Sequence, residues 1–141
     1  MENNILFYLK PKEEVTYLYE DEFVQMALER IDRVRFSAVP VLDRKSGRYV
    51  GTVSEGDFLR FFQEKYSQHY PEEKLMKLPV SQVKKSRNIE AVHVNARAND
   101  LLDKLVRQNF VPVVDDESRF IGIVTRMDVL ESFIKAWREK S

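Results

Sequence analysis

Gly122-Ile123-Val124-Thr125-Arg126-Met127-Asp128-Val129-Leu130 reads as a strand running straight into a helix. The apolar residues Phe120, Ile121, Ile123 and Val124 suit a buried strand. Thr125 stands where a helix N-cap belongs, and Asp128 follows three positions later. The pattern occurs once before, as Gly51-Thr52-Val53-Ser54-Glu55-Gly56-Asp57-Phe58-Leu59. A strand ending in a small hydroxyl, with a carboxylate one helical turn later, is thus present twice.

Working outward, a second duplicated motif precedes each of these. Val39-Pro40-Val41-Leu42-Asp43 aligns with Val111-Pro112-Val113-Val114-Asp115, and polar turns at Arg44-Lys45-Ser46-Gly47 and Asp116-Glu117-Ser118-Arg119 separate the motifs. Upstream, residues 4–10 predict a short apolar helix or turn stopped by Pro11. Val15 to Tyr19 predicts a strand. Asp21 is placed to cap a helix from Glu22 to about Arg33, with Phe23, Val24, Ala27, Leu28 and Ile31 on its apolar face. The helix after Ser54 carries Phe58, Leu59, Phe61, Phe62 and Tyr66. Residues 67–79 form a connection broken at Tyr70-Pro71 and Leu78-Pro79. In the second half, Val80 to Lys85 matches the N-terminal turn, and Ala91 to Val94 predicts a strand. Asn99 to Arg107 predicts a helix with Leu101, Leu102, Leu105 and Val106 inward, and a last helix carries Val129, Leu130, Phe133, Ile134 and Trp137.

Composition narrows the function classes. The 141 residues suffice for one compact domain, or two interlocked halves, burying ~68% of the unfolded chain's surface. Basic and acidic residues balance at 23 each, so no chain-wide basic field exists for nucleic acid or anionic lipid. The local cluster Lys84, Lys85 and Arg87 reads as a solvated loop. Cysteine is absent, which removes disulfides, thiolate metal sites and thiol nucleophiles. His69 and His93 have no partner at metal-ligand spacing, so neither a metal nor a catalytic cofactor is expected. The apolar patch Ile5 to Leu9 is too short for a signal-peptide core or a membrane span, and a soluble cytoplasmic protein is expected.

A Ser or Thr followed three residues later by an acid is first of all a capping box. Three features add to that role. Pro40 and Pro112 cannot donate to a ladder, so their strands are expected at an edge or beside a gap in pairing. Each helix start carries free N–H groups and a partial positive charge suited to phosphate. A carboxylate one turn in can accept two hydrogen bonds from a vicinal diol such as ribose. Together these fit an adenosine phosphate, with no catalytic group beside them.

The order Val-Pro-Val-x-Asp, then Gly-x-Val-[Ser/Thr]-x-x-Asp, twice over, resembles the cystathionine β-synthase (CBS) domain in tandem. The resemblance divides the chain into repeat 1 (1–68), a connection (69–78) and repeat 2 (79–141). It implies an α+β (α/β-like) fold of two β-α-β-β-α repeats packed through their sheets with pseudo-twofold symmetry. It implies clefts at that junction for AMP, ADP, ATP or a related adenosyl ligand, and a homodimer formed through helices. Carried over, Asp57 and Asp128 are the ribose-binding aspartates, and Ser54 and Thr125 the phosphate-facing hydroxyls. Ala38, Val39, Pro40, Val111 and Pro112 flank the base, and Tyr17 and His93 lie near the first strands, where backbone contacts to the base are usual.

The expected function is a non-enzymatic regulatory module that senses an adenine nucleotide and signals to a partner protein. The alternatives are a structural dimerisation module with unoccupied clefts, or a cyclic di-AMP receptor. Arg126 follows Thr125 whereas Glu55 follows Ser54, and a cation beside a phosphate helps where an anion hurts. The Thr125 helix start is therefore expected to be the stronger phosphate site.

Overall fold

The computed structural model of the chain describes residues 1–34 and 37–140. It contains two small sheets and five α-helices among these residues. The chain divides into two compact units, one contiguous (Thr16–Asn88) and one composite (Met1–Val15 with Ile89–Ser141).

The contiguous unit holds β2 (Leu18–Tyr19), α1 (Val24–Val34), β3 (Ala38–Leu42), β4 (Tyr49–Ser54), α2 (Glu55–Ser67) and α3 (Glu72–Leu75). Its sheet has the order β2-β3-β4, with β2 parallel and β4 antiparallel to β3. Leu18, Val39, Val41 and Val53 from the sheet pack against Val24 and Ala27 of α1 and Phe58 and Phe61 of α2. The composite unit repeats this plan with β5 (Val92–His93), α4 (Ala98–Arg107), β6 (Phe110–Val114), β7 (Phe120–Thr125) and α5 (Arg126–Lys140). Its core gathers Val92, Leu101, Leu105, Val111, Val113, Val124 and Val129. Even the irregularity is duplicated, since the register shifts between Val41 and Leu42 and again between Val113 and Val114.

The short segments before the two repeats do not pack with the sequence that follows them. The Ile5–Tyr8 3₁₀ turn buries Ile5 and Tyr8 in the composite unit. The strand β1 (Lys10–Pro11) extends that unit's sheet to the order β1-β7-β6-β5, pairing Lys10 with Ile123 and Pro11 with Gly122. Val80 and Val83 of the matching turn are buried in the contiguous unit. Each apolar turn thus fills the core of the preceding or the distant repeat, and the packing boundaries fall after Val15 and Asn88. The limits read from the motifs (1–68, 69–78, 79–141) follow the order of the sequence and not this division. Close approach fixes Gly122, whose φ is +155°: a Cβ there would collide with the Lys10 carbonyl oxygen.

Pro40 and Pro112 lie in central strands, and of the two placements expected for them, an edge or a gap in pairing, the gap holds. They are tolerated because β2 and β5 are two residues long and pair only from Val41 and Val113 onward, leaving the proline positions without a second strand partner. Other local expectations need correction: the strand expected from Val15 to Tyr19 spans only Leu18–Tyr19. The helix α1 begins at Val24, and Asp21 does not cap it: its carboxylate takes Arg44 Nε at 3.0 Å. The first-turn N–H groups of Val24 and Gln25 donate instead to the carbonyls of Leu78 and Met76, at 2.8 and 3.0 Å. Phe23 is exposed rather than inward, and so is Val106. On α5 only Val129 is buried, and Leu130, Phe133, Ile134 and Trp137 are exposed. No helix among the described residues is long and apolar enough to cross a membrane.

Candidate functional site

Both duplicated elements form as a strand that passes directly into a helix. In the contiguous unit, Ser54 ends β4 and caps α2. Its Oγ accepts from the Asp57 N–H at 3.2 Å, and Asp57 Oδ2 accepts from the Ser54 N–H at 2.9 Å. The other carboxylate oxygen, Oδ1, accepts from Arg60 Nη2 at 2.6 Å and from the Ser86 N–H at 3.2 Å. Arg60 Nη2 also reaches Ser86 Oγ at 2.9 Å. Asp57 is fully enclosed by the protein, its side chain 1% exposed. Burial works to raise its pKa, but the bonds from Ser86, Ser54 and Arg60 outweigh it and hold the carboxyl below its usual value.

In the composite unit, Thr125 ends β7, and its Oγ1 accepts from the Asp128 N–H at 3.1 Å. There the likeness stops. Asp128 Oδ2 is buried with no hydrogen-bond partner among the described residues. A buried carboxylate oxygen without a donor is costly, by roughly 1–3 kcal/mol for an ordinary polar group and more for a charged one. Asp128 lines a cavity of about 370 Å³ whose walls include Tyr8, Lys10, Glu131 and Lys135.

The remaining expected site residues divide between the units. Ala38, Val39 and Pro40 run along β3 in the unit of Ser54 and Asp57, Val39 and Pro40 buried. Tyr17 lies in that unit too, its carbonyl accepting from Arg30 Nη1 at 2.9 Å and its ring edge-on to Tyr19. Val111 and Pro112 lie on β6 in the unit of Thr125 and Asp128, and both are buried. His93 on β5 belongs to the same unit. Its Nδ1 accepts from the Asn95 N–H at 3.0 Å, which leaves Nε2 as the nitrogen facing Asp116 Oδ1 at 2.5 Å. Each set is therefore assembled within one unit. Among the described residues no group of three or more His, Cys, Asp or Glu side chains is placed to hold a metal ion.

Arg126 does not stand free beside Thr125. Its Nε donates to the Leu105 carbonyl at 2.6 Å, Nη2 to the Val106 carbonyl at 3.0 Å and Nη1 to Asn109 Oδ1 at 2.9 Å. The guanidinium closes the C-terminal end of α4, whose last carbonyls lack helical partners and attract a cation. The two helix starts therefore differ in the surroundings of their carboxylates, while Arg126 is held at the end of α4. The residues that sequence reasoning missed are Arg60 and Ser86. The signal for Arg60 was its place one turn after Asp57, but nothing in the local pattern brings Ser86 to the same carboxylate. The repeated motif aspartates Asp43 and Asp115 are turn formers. Asp43 accepts from the Ser46 N–H and hydroxyl at 2.8 and 2.6 Å, and Asp115 from the N–H groups of Glu117 and Arg119, both at 2.9 Å.

The family model described as the CBS domain matches twice, over residues 8–64 and 80–135. An uncharacterised protein of Methanocaldococcus jannaschii is 28% identical over 143 residues, covering 83% of this chain and 84% of its own. The crystal structure of CbpB in complex with c-di-AMP superposes with a TM-score of 0.84 at 23% identity, covering 96% of this chain and 87% of that one. That of CBSX2 in complex with AMP gives 0.74 at 22%, covering 96% and 98%.

Proposed function

The chain belongs to the CBS domain family, and on that premise we propose that it is a regulatory module binding an adenine nucleotide at its strand-to-helix starts and signalling to a partner protein. The observation that carries this reading is the orphaned Asp128 Oδ2 beside the capped start of α5. An acceptor of that kind calls for a hydroxyl donor, and a ribose diol supplies two. Lys10 and Lys135 on the cavity wall are cations suited to a phosphate. The ligands named for two structures of the same fold, c-di-AMP and AMP, share the adenosine unit, which supports this choice of chemistry. The role proposed for this site is binding and not turnover. The nucleotide is AMP, ADP, ATP or a related adenosyl ligand, and a cyclic di-AMP receptor is the second reading, favoured by the likeness to the c-di-AMP complex.

Signalling follows from differential affinity. A nucleotide that binds one conformation better shifts the population toward it by that difference and no more. Exposed apolar side chains on α5 (Leu130, Phe133, Ile134, Trp137) and α2 (Leu59, Tyr66) support a homodimer formed through helices.

A thermal-shift series with AMP, ADP, ATP, S-adenosylmethionine and cyclic di-AMP tests the reading. A true ligand at ~100 times its Kd adds ~2.7 kcal/mol of stability. A flat response across the series rejects nucleotide binding and leaves a structural dimerisation module, which sedimentation would detect as a ligand-independent dimer.

A further inference from the structure

The two carboxylates occupy equivalent positions and differ in what surrounds them. Outside the capping pair, Asp57 has two donors, Arg60 Nη2 and the Ser86 N–H. The position three residues after Asp128, which corresponds to Arg60, is Glu131. The spacing that carries the buried pair Ile5 and Tyr8 onto the buried pair Val80 and Val83 carries Pro11 onto Ser86. A glutamate brings no donor when ionised, and a proline has no N–H. Both donors are therefore lost together in the composite unit, and this is where the buried oxygen stands without a partner.

We propose that Arg60 and Ser86 form an internal clamp that occupies Asp57 as a ligand's hydroxyls would, so that the chain takes one nucleotide, at Asp128, and is held from taking a second at Asp57. The inference rests on the reading of these aspartates as ribose sites. A ligand at Asp57 must displace a charge-assisted bond of 2.6 Å and a backbone donor, whereas at Asp128 Oδ2 it displaces no hydrogen-bond donor. The Arg60 side chain is 60% exposed, so it is free to swing away from the carboxylate without opening the core. Arg60 is thus a residue that sets site selectivity, and a ligand contact is not required of it.

Titration calorimetry on the full chain with AMP and with ATP tests this. The wild type is expected to take one nucleotide per chain, and Asp128→Asn to lose at least tenfold in affinity. Arg60→Glu and Ser86→Pro copy the open repeat, and each is expected to raise the stoichiometry toward two. Glu131→Arg copies the clamp and is expected to weaken binding with Asp128 untouched. Two nucleotides per wild-type chain, or one per chain in both opening variants, overturns the clamp. Melting without ligand separates this from failure of the nucleotide reading. Glu131→Arg is expected to raise the melting temperature by giving Asp128 a donor, and Arg60→Glu to lower it. If no nucleotide binds, the parent reading falls. If neither melting temperature moves, the clamp falls whatever binds.

Discussion

The start of α2 and the start of α5 are written with nearly the same residues and end in different electrostatic states. Both place a hydroxyl at the cap and an aspartate one turn in. Asp57 accepts bonds on both oxygens and is sealed, whereas Asp128 keeps one buried oxygen unmatched. The motif itself is identical in kind, so the difference must come from residues outside it. Two substitutions, Arg60 against Glu131 and Ser86 against Pro11, account for it. A duplicated motif therefore does not imply a duplicated electrostatic environment. Whether each copy is open depends on the donors that the surrounding chain supplies.

The sharpest way to break this comparison is at the glycines that precede the two motifs. Gly51 and Gly122 both hold positive φ, at +145° and +155°, and a side chain at either carries roughly 1–3 kcal/mol of backbone strain. At Gly122 the added Cβ also meets the backbone of β1, which cannot yield without losing its pairing. At Gly51 the neighbour is Lys85 Cδ, 2.6 Å away on a flexible side chain. Gly122→Ala is expected to cost roughly 2–6 kcal/mol and Gly51→Ala distinctly less, measured by urea denaturation. Equal losses would mean that β1 contributes nothing to its unit.

The aspartates come next. Asp57→Ala removes the acceptor for three donors and is expected to cost roughly 2–3 kcal/mol. Asp128→Ala removes an oxygen that has no donor and is expected to leave unfolding free energy nearly unchanged or slightly higher. Similar costs at both positions would erase the distinction between sealed and open.

Acid offers a smaller but cleaner test. The folded pKa of Asp57 lies below its unfolded value, so the unfolded chain binds the extra proton as pH falls. The stabilisation is present in full above about pH 5 and is lost as pH drops below about 4 toward the lowered folded value. Asp57→Asn is expected to flatten the acid limb of a stability–pH curve. Asp43 and Asp115 keep part of that limb in the variant. Bonds from Ser46 lower the first, and at the second burial is outweighed by bonds from Arg119 and Glu117. The smallest effect is at the caps. Ser54→Ala opens a complete capping box and is expected to cost about 1 kcal/mol, with Thr125→Ala costing less because only half of that box is made.

The duplicated strand-to-helix element was legible because periodicity and capping are local: Ser54 and Thr125 sit where the sequence placed them. The boundaries that moved were set by distant groups. α1 starts at Val24 because the carbonyls of Leu78 and Met76 meet its first N–H groups, and no window around Asp21 contains them. Pro40 and Pro112 announced an edge or a gap in pairing but not which of the two, because the shortness of β2 and β5 is not written in the proline strands themselves. Arg126 looked like a phosphate ligand from its neighbour in sequence, but the open end of α4 takes its guanidinium. The clamp at Asp57 was hidden for the same reason, since Ser86 arrives from the far side of the connection.

The exchange of the apolar turns also sets an order of assembly. Every strand and helix of the contiguous unit lies between Thr16 and Asn88, so that unit can close while the rest of the chain is still being made. The first fifteen residues must wait: Lys10 finds Ile123 only when roughly a hundred further residues have been synthesised, and a contact of such sequence separation is slow to form. During that interval Ile5 and Tyr8, both buried in the finished unit, lack the core that covers them. The same interval is where a growing chain is open to pairing its first residues with the wrong sheet edge, and the lone Gly122 that admits β1 is what rewards the correct one.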